Sequence, residues 1–94
     1  MAFYAYIVAS HRNGTLYTGS TDGLILRTTQ HREKTLAGFT VKYSCTRLVW
    51  YEPHPSRYAA FLRERRIKKW NRVWKLELIE AMNPGWRDLF EDLF

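Results

Sequence analysis

Apolar and aromatic residues run without a break from Phe3 to Val8, and their aromatic and β-branched content predicts a strand. Asn13-Gly14 is a hairpin turn signal, and Thr15 to Thr18 reads as the return strand. A two-residue loop sets Ser10 opposite Tyr17, whereas a longer loop from Ala9 to Gly14 sets Tyr6 opposite Tyr17. Both loops hold an even number of residues, so Tyr4, Tyr6, Val8 and Tyr17 share one face in either case. A turn is expected at Gly19. A helix then runs from about Asp22 to roughly Thr35, with Ser20, Thr21 and Asp22 as N-cap candidates and Ala37-Gly38 as the stop. Gly38 to Tyr43 reads as irregular. Leu48 to Glu52 is the most hydrophobic strand, and Pro53-His54-Pro55 should end it.

Ser56 is an N-cap candidate for a helix from Arg57 to about Lys69. Ala60, Glu64 and Ile67 fall on one face of it, so a carboxylate sits on the apolar side of a basic helix. Continuing the same wheel puts Asn71 on that face and takes Val73, Leu76 and Ile79 off it. The phase breaks at Asn71, which caps a third helix from Arg72 to about Ala81, ended by Asn83-Pro84-Gly85. Leu89, Phe90, Leu93 and Phe94 alternate with Asp88, Glu91 and Asp92 in a short helical turn, either packed as a lid or frayed. The order strand, strand, helix, strand, helix, helix predicts an α+β domain, a three-stranded antiparallel sheet flanked by helices. The 94 residues suit one domain, with a core over about 3–82 and a C-terminal extension over 83–94.

Composition sharpens this picture in two respects. Fifteen aromatic residues supply much of the buried area that so small a chain needs, which argues against disorder. A net charge of +6 favours a polyanionic partner, most often nucleic acid. The lone Cys45 excludes an intramolecular disulfide and a multi-cysteine metal site, fits a reducing cytoplasm, and reads as an inert core residue. No membrane-spanning run or signal peptide is expected.

The polar residues of the apolar frame carry the candidate chemistry. Arg27 and His31 lie four apart on one helix face, behind a strand that presents Tyr17. Inward Glu64 costs energy unless it is paired with a cation or faces a polar cleft. One carboxylate with open coordination positions suits Mg²⁺, which keeps waters and borrows phosphate oxygens. Arginine recognises phosphate and stabilises its transition-state charge, and tyrosine or histidine can take a proton from water. These are the parts for one-metal phosphodiester hydrolysis. No Walker loop, HExxH, paired-cysteine or G-x-S-x-G motif is present, so other hydrolase chemistries lack support.

Taken in order, these residues make the chain resemble the GIY-YIG endonuclease domain. The likeness is to small single-domain members related to the N-terminal nuclease domain of the bacterial excision-repair C subunit. Tyr4-Ala5-Tyr6 matches the first motif and Tyr17-Thr18-Gly19 the second. Arg27 falls on the family's helix arginine, His31 one turn on, and Glu64 on its metal-binding glutamate. Gly38-Phe39-Thr40, Leu48-Val49-Trp50-Tyr51-Glu52, Trp74-Lys75 and Asn83-Pro84-Gly85-Trp86 are also similar to segments of the small members. Tyr4 and Ala5 replace a glycine and an isoleucine, Thr18 an isoleucine, and Ser20 a lysine of some relatives.

The resemblance implies a metal-dependent DNA endonuclease of repair or recombination. Tyr6 and Tyr17 would sit at the scissile phosphate, Arg27 on its charge, and Glu64 on Mg²⁺ or Mn²⁺. His31 would position groups or exchange protons. Arg63, Arg65, Arg66, Lys68, Lys69 and Arg72 would bind DNA phosphates, which positions DNA without reading sequence. Target choice would rest on DNA structure or on a protein partner, with the chain a monomer or weak homodimer. The alternatives are a catalytically silent nucleic-acid-binding module, and a docking domain that uses the C-terminal Leu89-Phe90-Leu93-Phe94 patch.

Overall fold

Three strands form an antiparallel sheet in the order β2-β1-β3, where β1 is Phe3–Ala9, β2 Leu16–Thr21 and β3 Arg47–His54. The computed structural model describes residues 2–35, 38 and 42–94. Helix α1 is Leu24–Glu33, α2 Arg57–Lys69 and α3 Arg72–Met82, and a 3-10 helix covers Leu89–Leu93. This is the expected α+β class, and among the described residues no helix is long and apolar enough to cross a membrane.

The hairpin register lies between the two sequence alternatives. Val8 pairs with Tyr17 and Tyr6 with Gly19, across a six-residue loop from Ser10 to Thr15. The Ser10 N–H donates to the Thr15 carbonyl at 3.0 Å, and Asn13 takes a left-handed φ of 58°. Arg72, from the start of α3, donates to the carbonyls of Asn13 and Gly14 at 2.7 Å each. The loop is still even in length, so Tyr6 and Tyr17 do share a face.

Two expectations about strand ends are corrected. Gly19 is no turn, because β2 runs on to Thr21, paired with Tyr4. That pairing takes Ser20 and Thr21 out of the helix start. Thr21 Oγ1 accepts from the Gly23 N–H at 3.0 Å, Asp22 pairs with Arg57, and α1 begins after Gly23 without a side-chain cap. At the other end α1 closes at Lys34, in the left-handed conformation, short of Thr35, and Ala37 lies outside the described residues. β3 does end within Pro53-His54-Pro55, at His54, two residues past the expected end at Glu52, but Pro53 itself lies inside the strand, paired with Tyr4. The reason is the strand order: β3 is an edge, where a residue with no N–H to donate leaves no inner ladder bond unmade.

The local caps fall where the side chains put them. Ser56 Oγ accepts from the Ala59 N–H and Asn71 Oδ1 from the Trp74 N–H, each at 3.0 Å, so the two side chains start α2 and α3 as expected. Asn83 closes α3 from a buried position. Its amide donates to the carbonyls of Val49 and Arg87 and accepts from the Arg87 N–H.

Two cores lie on opposite faces of the sheet. Ala5, Ile7, Ala9, Val49, Trp50, Ile67, Ile79 and Trp86 pack on one, among them residues of α2 and α3. Val49 and Trp50 both belong to this core because β3 bulges there, so that Ile7 faces Trp50 and Val8 faces Leu48. Tyr6, Val8, Leu24, Cys45, Leu48 and Leu89 pack on the other, with Tyr4, Tyr17, Tyr51 and Leu93 around them. The C-terminal turn is therefore packed: Leu89 is buried and only Phe94 of its apolar set is strongly exposed.

Candidate active site

Alternation along the central strand puts Tyr6 on the face covered by α1. Its hydroxyl lies 3.0 Å from His31 Nε2. The rings of Tyr6 and Tyr17 stand 5.6 and 5.7 Å from the imidazole, so one histidine touches both tyrosines. Tyr6 is only 1% exposed and His31 2%, which makes them the floor of the site rather than its surface. Half-buried Arg27 is close enough to act on both by its charge.

Gly19 is needed for this floor. A Cβ there would meet Tyr6 Oη at 2.6 Å and Cζ at 2.7 Å, so the phenol ring crosses the strand where no side chain exists. Tyr4, which replaces the glycine of the first motif, is seated edge-on against Tyr51 with ring centroids 6.1 Å apart, clear of that crossing.

Glu64 reaches the site from α2, and its side chain is 13% exposed. Of the two options left open by the sequence, pairing with a cation is realised, and a serine hydroxyl takes the other oxygen. Lys68 Nζ pairs with Oε2 at 2.8 Å, and the Ser20 hydroxyl donates to Oε1 at 2.7 Å. Lys68 Nζ also stands 5.7 Å from the centre of the Tyr17 ring, tying the carboxylate to the tyrosine face. Sequence reasoning named Lys68 as a DNA-phosphate contact but not as the partner of Glu64, and missed Ser20 as a part of the site. The i, i+4 spacing of Glu64 and Lys68 was a usable signal; Ser20 is 44 residues away and gave none.

The electrostatics follow from burial. Burial, aided by the charge of Tyr17, holds the Tyr6 hydroxyl well above the usual tyrosine range despite Arg27, so it keeps its proton at neutral pH. Burial, with Arg27 second, pushes His31 down to about 4 and leaves it neutral at pH 7. Its Nδ1 is buried with no hydrogen-bond partner among the described residues.

The remaining basic residues divide. Arg63 is bound to Glu52 at 3.0 Å and stands over the rings of Trp50 and Trp70, and Arg72 holds the hairpin loop. Arg65 lies over the exposed Phe61, and Arg66 and Lys69 are exposed on α2. Cys45 is buried, and burial pushes its thiol up, as expected of an inert residue.

No group of three or more His, Cys, Asp or Glu able to hold a metal occurs among the described residues. Glu64 is the carboxylate of the site, and an ammonium already sits on its Oε2. A position that favours one cation, backed by a single carboxylate, fits Mg²⁺ or Mn²⁺ that completes its shell with water and phosphate oxygens.

Comparison with known proteins bears on the family and the fold. A family model described as the GIY-YIG catalytic domain matches residues 2–77. The UPF0213 protein SH2523 of Staphylococcus haemolyticus is 40% identical over 81 residues, which cover 82% of this chain and 93% of that protein. The solution structure of the UPF0213 protein BH0048 from Bacillus halodurans superposes with a TM-score of 0.55 at 26% identity, covering 94% of this chain and 93% of the other.

Proposed function

The chain belongs to the GIY-YIG catalytic domain family, a nuclease family, and from that premise we propose that it is a metal-dependent endonuclease that hydrolyses DNA phosphodiester bonds. The observation that carries the proposal is the convergence of Tyr17, Arg27 and Glu64 from three different elements around the buried Tyr6–His31 pair. A fold kept for binding alone has no need to bring a half-buried carboxylate to a tyrosine and an arginine.

The five residues take two kinds of role. Tyr17, Arg27 and Glu64 reach the surface and are the groups that meet the phosphate and its surroundings. Arg27 stabilises the charge that grows on the phosphate oxygens. Tyr17 orients the attacking water through its hydroxyl. Glu64 would hold Mg²⁺ or Mn²⁺, which when bound neutralises phosphate charge. Tyr6 keeps its proton and is buried, so it is a positioning residue: it is fixed by His31 and forms the floor beneath the groups that meet the phosphate.

DNA is met through the exposed cations of α2, and its targets are set by DNA structure, as repair or recombination in the cytoplasm requires. The test is cleavage of labelled single-stranded, duplex, flapped and branched DNA with Mg²⁺, with Mn²⁺ and with chelator. Metal-dependent cutting that Glu64→Ala and Tyr17→Phe both abolish is the expected result. DNA binding that only follows salt, with no cutting by wild type, would instead identify a silent binding module.

A further inference from the structure

Helix α2 has a third stripe that neither the core nor the candidate site uses. Ala60 and Ile67 face the core, and Glu64 and Lys68 face the site. Tyr58, Phe61, Leu62 and Arg65 follow one another at helical i, i+3, i+4 and i+7 spacing on the outer side. Tyr58 is 69% exposed and Phe61 41%, a high degree for aromatic residues on a helix that already buries an apolar face. They line a groove of about 500 Å³ whose other walls are Ser20 and Arg57. Ser20 is also the residue whose hydroxyl donates to Glu64, so the groove opens directly beside the candidate metal ligand.

Charge decides what the groove suits. Arg57, paired with Asp22, stands in its wall, Arg65 stacks on Phe61 at 5.6 Å, and Arg66 and Lys69 are exposed on the same helix. Exposed aromatic rings interleaved with cations match a nucleic-acid strand, whose flat bases alternate with phosphates. A base paired inside a duplex hides its faces in the stack, so only an unpaired base can lie on Tyr58 or Phe61. We propose that Tyr58 and Phe61 are a stacking platform for an unpaired nucleobase next to the scissile phosphate. The site therefore takes single-stranded, flapped or frayed DNA over continuous duplex. This inference rests on the nuclease reading above and adds the substrate class to it.

The test measures binding separately from cutting. Fluorescence anisotropy in chelator, at one fixed salt concentration, compares a short labelled strand that is not self-complementary with the same strand annealed to its full complement as a blunt duplex. The expected result is about tenfold tighter binding of the single strand by wild type, lost in Tyr58→Ala/Phe61→Ala and kept in Tyr58→Phe. Duplex affinity should change little in either variant, and circular dichroism should show the fold intact, because both rings are exposed. Unchanged single-strand binding by the double variant overturns the platform, and so does an equal loss on both DNAs. Loss of self-association with DNA binding unchanged also overturns it, by making this face a protein interface. The two readings fail separately. Metal-dependent cutting without platform-dependent binding leaves the nuclease standing and removes the platform. Platform-dependent binding without metal-dependent cutting does the reverse.

Discussion

Gly19→Ala is the smallest change that reaches the site through packing alone. The added Cβ would lie 2.6 Å from Tyr6 Oη, 2.7 Å from Cζ and 2.9 Å from Cε1, where ordinary contact begins near 3.4 Å. The ring must retreat by about 0.8 Å, the shortfall between those first and last distances. It has nowhere to go, since Tyr6 is 1% exposed and its hydroxyl is held by His31. Overpacking of this kind costs about 1–3 kcal/mol. Alanine recovers roughly 0.4–1 kcal/mol by restricting the unfolded chain. The net loss is about 1–2 kcal/mol, and each kcal/mol lowers Tm by roughly 4–8 °C in a chain of this size. Cutting should fall by much more, on the order of 100-fold, because a displacement near 1 Å disturbs the Tyr6–His31 floor against which the site is built. A double-mutant cycle isolates the cause. In a Tyr6→Leu background the clashing Oη and Cζ are gone, so Gly19→Ala should cost nothing there. Equal thermal penalties in the two backgrounds, or wild-type melting and cutting by Gly19→Ala, would refute the reasoning.

Three further outcomes are expected. His31 has its pKa lowered from 6.5 to about 4, so the unfolded chain binds a proton that the folded chain refuses. Stability should therefore fall as pH drops from 6.5 towards 4, by up to about 3 kcal/mol from this group; urea titrations at several pH values read this, and His31→Gln should flatten the slope. Tyr17→Phe and Glu64→Gln should each abolish detectable metal-dependent cutting on gels while Tm moves little, since neither side chain is part of the fully buried core. Asn83→Ala removes three hydrogen bonds from a buried corner and should cost about 2–3 kcal/mol in urea unfolding; a loss no larger than that of the exposed cap variant Asn71→Ala, about 1 kcal/mol, would show that the corner is held by Trp86 packing instead.

What the sequence made legible is what local chemistry decides. Ser56 and Asn71 cap their helices with their own side chains, so the start of α2 and the break before α3 could be read directly. The inward phase of Glu64 follows from helical geometry, and the shared face of Tyr6 and Tyr17 from strand parity. What stayed hidden depends on elements far along the chain. Gly19 looks like a turn until the ring of Tyr6 is seen to cross it. Pro53 looks like a strand end until β3 is known to be an edge. The hairpin register depends partly on Arg72, 58 residues from the Gly14 carbonyl it grips.

The central strand explains how so small a chain holds a polar site. Ala5, Ile7 and Ala9 point to the core shared with α2 and α3, while Tyr6 and Val8 point to the layer under α1. A slip of one residue would exchange the two sets, sending the phenol into the Ile67–Ile79 core and the small residues to the site. Two features oppose that slip from opposite sides. The gap at Gly19 accepts the ring of Tyr6 only in this register, and the bulge at Val49 lets β3 bury two consecutive residues in the structural core. The site is therefore fixed by the packing that stabilises the fold, and its working groups come from the strands and helices around that floor. Tyr17, Arg27 and Glu64 can be exposed to substrate because none of them belongs to the buried core.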